Sequence, residues 1–347
     1  MNRAIAAALL CAASGCPKSV CPPSAQIEAA VTKFTLPGSR RLVVGTPDSI
    51  GCNTAADTHL LAWHANGSIF VAAHDGGMLA VERFSVRAPR GPIAMSAEGA
   101  FSTGEFPADG GISISGAGIS KRWALPTPNA AILARPDEVI GVTSTPVDGS
   151  QRAIVWLHTL ISGRTTVLAQ EDGPVSNLAL GPGGELCWRG DGVFSEDFED
   201  KRHGGMIACV QLGTAGAIRR TPAISGSGLV FDFGHLVWVR GNYVYTIDTQ
   251  FMNLTELRYF GASDVSPLEL VATRVGLFVA VQHDGLSGLV WVPRTFRGMM
   301  DAVDIVTTAA GEQICGLSAS NDTLFWVRRD SGGSSLWAID LDALPKK

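Results

Sequence analysis

The chain has 347 residues, of which 46% are hydrophobic and 17% charged, with a formal net charge of −5. There is ample apolar material for a core, and no basic stripe of the kind that phosphate contacts require, so nucleic-acid binding is not expected. Forty glycines and many short β-type runs separated by Gly, Pro, Asp and Asn point to an all-β protein.

The chain opens on a leader. Arg3 gives a positive start, and residues 4–13 form an apolar stretch too short to span a bilayer. Ala13-Ser14-Gly15-Cys16 then resembles the lipobox of bacterial lipoproteins, with Ala13 where Leu is commonest. The resemblance implies a signal peptide over 1–15, acylation of Cys16 and a tether over 16–26 before a folded domain over 27–347. Residues 17–25, rich in Pro and Ser, fit an extended tether. The expected location is the cell envelope, lipid-anchored on a periplasmic or outer-membrane surface, with the membrane as one partner. Ordinary cleavage nearby, giving a freely secreted protein, is the alternative.

Beyond Cys11 and Cys16, five cysteines remain: Cys21, Cys52, Cys187, Cys209 and Cys315. An exported chain can form disulfides, and an odd count leaves one thiol over. Cys187 and Cys209 lie in two β-runs, 185–188 and 206–212, that flank one loop, which suggests a cross-strand bond. Cys52 stands before the first repeat and Cys315 opens the last, so ring closure would let them bond, with Cys21–Cys52 as the rival pairing. No Cys-x-x-Cys occurs, and neither a metal nor a cofactor is expected.

The dominant pattern is a tripeptide: aliphatic, then an apolar residue, then most often Trp. It recurs at Ile69-Phe70-Val71, Ala100-Phe101-Ser102, Ile154-Val155-Trp156, Leu186-Cys187-Trp188, Leu236-Val237-Trp238, Leu277-Phe278-Val279 and Leu324-Phe325-Trp326. The mean spacing of about 42 residues matches the roughly 40–45 of a four-stranded propeller blade. A seven-bladed β-propeller is expected, with six or eight blades as alternatives. Blades are read at 53–88, 89–128, 129–172, 173–221, 222–265, 266–309 and 310–344. Residues 27–50 are expected to add a strand to the final blade, because an open ring would expose unpaired backbone.

Within each blade the tripeptide is expected on the second strand. Third strands are read at 78–81, 243–247, 289–292 and 336–339, and one outer strand at 255–260. His74-Asp75 and His283-Asp284 are assigned to equivalent hairpins, with Asp-Gly building the turn and His in solvent. Phe325-Trp326-Val327-Arg328 resembles the Tyr-Trp-Thr-Asp strand of low-density-lipoprotein-receptor-type propellers, though the closing Asp is missing from most copies. That family uses propeller faces mainly for protein binding.

Catalytic signatures are scarce. There is no Gly-x-Ser-x-Gly, His-Glu-x-x-His or P-loop. Residues 330–337 partly resemble the Asp-box of sialidases, but the aromatic falls too late and no second copy is present. The insertion 191–203 carries Asp191, Glu196, Asp197, Glu199 and Asp200 without EF-hand spacing, and reads as a protruding contact loop. The function expected is a monomeric, non-catalytic binding or scaffold module for an envelope protein or polysaccharide. The alternative is a glycan hydrolase or lyase with funnel carboxylates drawn from Asp137, Glu138, Asp232, Asp264 or Glu269.

Overall fold

The computed structural model describes residues 34–45, 50–66, 68–75, 78–87, 93–96, 99–103, 112–116, 119–123, 131–147, 150–190, 205–214, 216–223, 226–258, 265–294 and 302–345. The leader with Cys16 and Cys21, the loop bearing Asp191, Glu196, Asp197, Glu199 and Asp200, and Asp264 lie outside them. Among the described residues no helix is long and apolar enough to cross a membrane.

The strands form antiparallel sheets that follow one another along the chain, at 50–87, 93–123, 131–172, 175–223, 227–258, 266–307 and 313–340. We number these sheets one to seven. Each is an up-and-down meander, and each first strand contacts the first strand of the next sheet. The first strand of sheet seven, Gln313–Ala319, contacts that of sheet one, Ile50–Ala56, so the ring closes as a β-propeller. First strands are innermost. First-to-second and third-to-fourth turns emerge on one face of the ring, and second-to-third turns on the other.

Closure uses the N-terminal segment twice. Arg40–Gly45 pairs with Gly333–Asp340 as the outermost strand of sheet seven. Phe34–Thr35 goes instead to sheet six, where it adds a fifth strand beside Val303–Thr307. Residues 27–50 thus supply the expected strand to the last blade, and the chain also lends two residues to sheet six before it enters sheet one. Both edges would otherwise present unpaired N–H and C=O groups.

Two disulfides reinforce this frame and fit an oxidising, extracytoplasmic compartment. Cys52–Cys315 joins the innermost strands of sheets one and seven, with Cα atoms 5.2 Å apart across 263 residues of sequence. Cys52 is thereby closed to Cys21. Cys187 and Cys209 face each other directly on the second and third strands of sheet four, with Cα atoms 4.1 Å apart.

Trp156, Trp188, Trp238 and Trp326 are all fully buried between sheets, as filler for the space where two sheets meet. The strand assignment of the repeat needs correction, however. Ile69-Phe70-Val71 and Ile154-Val155-Trp156 lie on third strands, Ser68–Asp75 and Ser150–Thr159, and residues 78–81 belong to a fourth strand, Met78–Arg87. Second and third strands are both covered on two faces, so their apolar triplets look alike in sequence. Gly141, on the strand beside Trp156, makes room for the indole: a Cβ there would lie 2.2 Å from the ring.

This shift separates the two His-Asp hairpins. His74-Asp75 ends a third strand and His283-Asp284 ends a second, so they lie on opposite faces rather than in equivalent places. His74 is buried rather than solvated, with Nε2 3.2 Å from the Asp57 carbonyl and its ring edge-on to Phe325.

Replacing both Cys52 and Cys315 with Ser should lower stability by about 2–5 kcal/mol, because the bond closes a very long loop of the unfolded chain. The equivalent Cys187/Cys209 change should cost less. Thermal melts of the two variants check this, and an equal or reversed order would contradict it.

Candidate functional site

The first-to-second turns converge around the mouth of the central funnel. An open cavity of about 600 Å³ sits there, bounded by Asp57 and Thr58 of sheet one, Pro182 of sheet four, Phe231–Gly234 of sheet five, Thr273 and Arg274 of sheet six and Asn321 of sheet seven. That volume lies within the roughly 300–1,000 Å³ typical of small-ligand sites.

Arg294, just past the third strand of sheet six, organises this mouth. Its guanidinium donates to Asp232 Oδ1 at 2.6 Å, to the Thr273 carbonyl at 2.6 Å and to the Arg274 carbonyl at 2.9 Å. Asp232 is buried at the end of the first strand of sheet five, so the pair ties sheet five to sheet six. The same guanidinium stacks on Phe233, with its central carbon 3.4 Å from the ring centroid. Arg274 continues the chain of links: Nε donates to the Asn321 carbonyl at 3.1 Å and Nη2 to Asp342 at 2.7 Å, which joins sheet six to sheet seven.

Phe233 is the unusual residue here. It is 72% exposed and holds φ at +47°, followed by Gly234 at +78°. Two successive positive φ values make a type I′ turn, in which Asn-Gly is the favoured pair and a bulky residue at the first position is disfavoured. An aromatic directly before glycine in a tight turn, Phe233-Gly234, is the sequence signal for this site, and it stands outside the apolar repeat.

Of the carboxylates proposed for hydrolysis, Asp264 lies outside the described residues, and Asp232, Glu138 and Glu269 each have partners of their own. Asp232 is held by Arg294, and Glu138 by Arg135 at 2.9 Å. Asp57 accepts the backbone N–H groups of His59 and Leu60, which caps its own turn. Glu269 lies on the innermost strand of sheet six, where Oε1 accepts from Gly316 N at 2.9 Å and Oε2 from Leu317 N at 2.6 Å on sheet seven. Burial pushes its carboxyl above the ordinary glutamate range, and the two amides pull it part of the way back. Glu269 stands four residues before Thr273 along its strand, so about 13 Å of strand separates it from the Arg294–Asp232 level. Glycosidase pairs sit at about 5–10 Å.

Glu185, Cys187 and Cys209 also come together, but both sulfurs are consumed in the disulfide and Glu185 pairs with Arg219. That set does not suit a metal ion. The acidic loop expected to make contacts lies outside the described residues; Gly190 and Gly205, which bound it in sequence, end the second strand and begin the third strand of sheet four.

No protein-family model and no curated protein matches the sequence. Solved structures do resemble the fold. The β-propeller domain of the Trilobed protease from Pyrococcus furiosus, which has an open velcro topology, aligns with TM-score 0.57 and 9% identity over 87% of this chain and 96% of that one. Hsv2 from Kluyveromyces lactis aligns with TM-score 0.56 and 10% identity, over 82% and 90% of the two chains. PorZ, a bacterial surface component of the type-IX secretion system of Porphyromonas gingivalis, gives TM-score 0.49 and 12% identity over 86% of this chain, which spans 39% of the PorZ chain. The chain is thus similar to β-propellers in fold.

Glu269→Ala removes the acceptor for two amides between sheets six and seven, and should destabilise the protein by about 1–3 kcal/mol. Glu269→Gln keeps one acceptor and should lose less. Chemical denaturation of both variants tests the order, and a Gln variant as weak as the Ala variant would count against it.

Proposed function

We propose that this chain is an exported protein, lipid-anchored to the cell envelope through Cys16, whose seven-bladed propeller is a non-catalytic binding module for an envelope protein or polysaccharide. The observation that carries this reading is the funnel mouth: a pre-ordered aromatic faces solvent while the carboxylates around it are already engaged in turns and sheet contacts. Interactions held by several acceptors cost little further ordering when a ligand arrives. The similarity to other propellers supports the architecture and leaves the ligand to be found.

Two measurements test it in intact cells. Metabolic labelling with an alkynyl fatty acid should tag the wild-type chain and fail on Cys16→Ser, which should also leave the membrane fraction. Equal labelling of both would reject the anchor. Mild crosslinking followed by purification through a C-terminal tag should yield defined adducts. Release of soluble fragments from envelope glycan by the purified protein would instead favour the hydrolase.

A further inference from the structure

The geometry points to a ligand class: we infer that the funnel mouth binds an uncharged pyranose unit of a polysaccharide, stacked on Phe233. This deepens the binding-module reading and rests on it.

The first support is conformational. A phenylalanine in the left-handed region, at the first central position of a type I′ turn, is held against its own backbone preference. Its ring is also mostly in water. Neither property serves the core, and backbone outliers of this kind collect at ligand sites. Phe251 is a useful contrast. It too has positive φ, at +60°, and an arginine over its ring, Arg219 at 5.5 Å, but it packs into the core of sheet five. Phe233 has no such burial.

The second support is how the ring is held. Arg294 covers one face, and Arg294 is itself fixed by Asp232 and two backbone carbonyls. The accessible area therefore belongs to the opposite face and the edge, on a platform that is already ordered. The face of an aromatic ring is electron-rich and attracts polarised C–H groups. The C–H face of a pyranose ring supplies several of these together.

The third support is charge. Arg274 and Arg294 in the lining are matched by Asp57 and Asp232, so the cavity has no net formal charge from these groups. An anionic glycan would meet arginines already engaged by acidic partners, and a cationic ligand would meet a ring already stacked on a guanidinium. Thr58 and Asn321 on the rim offer a hydroxyl and an amide, which between them can donate to and accept from sugar hydroxyls.

The test uses the full mature chain in affinity electrophoresis and saturation-transfer NMR. The probes are neutral oligomers (β-1,4-linked glucose, β-1,4-linked N-acetylglucosamine, and α-linked mannose and glucose), with polygalacturonate as the charged comparison. At least one neutral oligomer should bind, with saturation strongest on the C–H protons of one ring face. Phe233→Ala should weaken binding by roughly tenfold, the scale of one aromatic contact, while Phe233→Trp retains it. Phe251→Ala, away from the mouth, should leave affinity unchanged in whatever fraction stays folded. Failure of every neutral oligomer, binding of polygalacturonate alone, or binding indifferent to Phe233→Ala overturns the inference. Photocrosslinking from benzoylphenylalanine in place of Phe233 separates the remaining cases. Capture of one defined protein there overturns the glycan assignment but leaves a binding module standing, whereas loss of all envelope adducts removes both.

Discussion

A ring of sheets is stable only if its last member meets its first. Until then each sheet has one unburied face and the terminal sheets have open edges. Here the closure joins residues nearly 300 apart in sequence. Arg40–Gly45 completes sheet seven, and Cys52–Cys315 ties the innermost strands of sheets seven and one. Thr54 Oγ1 donates to the Gly316 carbonyl at 2.6 Å across the same seam, and Ile50 N donates to Ser334 Oγ at 3.0 Å. Gly316, at φ +63°, brings its backbone so near Cys52 that a Cβ would lie 3.0 Å from the Cys52 carbonyl oxygen. The seam is thus built from backbone approach, hydrogen bonds and a covalent bond together.

Around the rest of the ring, apolar packing between sheets is supplemented by charged links. Glu171 of sheet three accepts from Arg220 of sheet four at 2.9 Å and from Trp188 Nε1 at 3.1 Å. Arg219 reaches from sheet four to the Thr249 carbonyl of sheet five, Arg294 links six to five, and Arg274 links six to seven. Solvent-exposed pairs contribute little alone. Asp232, which is buried, is a different matter, since losing its arginine would leave a charge without compensation. The Arg294–Asp232 contact therefore has two consequences at one place: it couples two sheets and it fixes the ring of Phe233.

The all-β propeller and the Cys187–Cys209 bond were legible from repeats of local pattern, whereas Cys52–Cys315 was one of two pairings left open for Cys52 and was decided by ring closure. A four-stranded meander repeats its apolar triplets and turn residues at a regular interval, and cysteines on facing strands can be paired once the meander is recognised. Strand order within a sheet was less legible. The triplets at 69–71 and 154–156 sit one strand further out than their counterparts because middle strands share the same burial on both faces. That one-strand offset moved the His74 hairpin to the other face of the ring and turned a histidine read as solvated into a buried one.

The sequence by itself determined the properties set within one sheet or less: strand content, turn positions, the interval of the repeat and the apolar filler between sheets. The tertiary structure decided what depends on which turns meet across the ring. Phe233, Arg294 and Asn321 belong to three different sheets and share no local motif. Only closure brings the first-to-second turns to one funnel mouth. Closure also determines which carboxylates are taken up in structural contacts and which aromatic ring is left facing water.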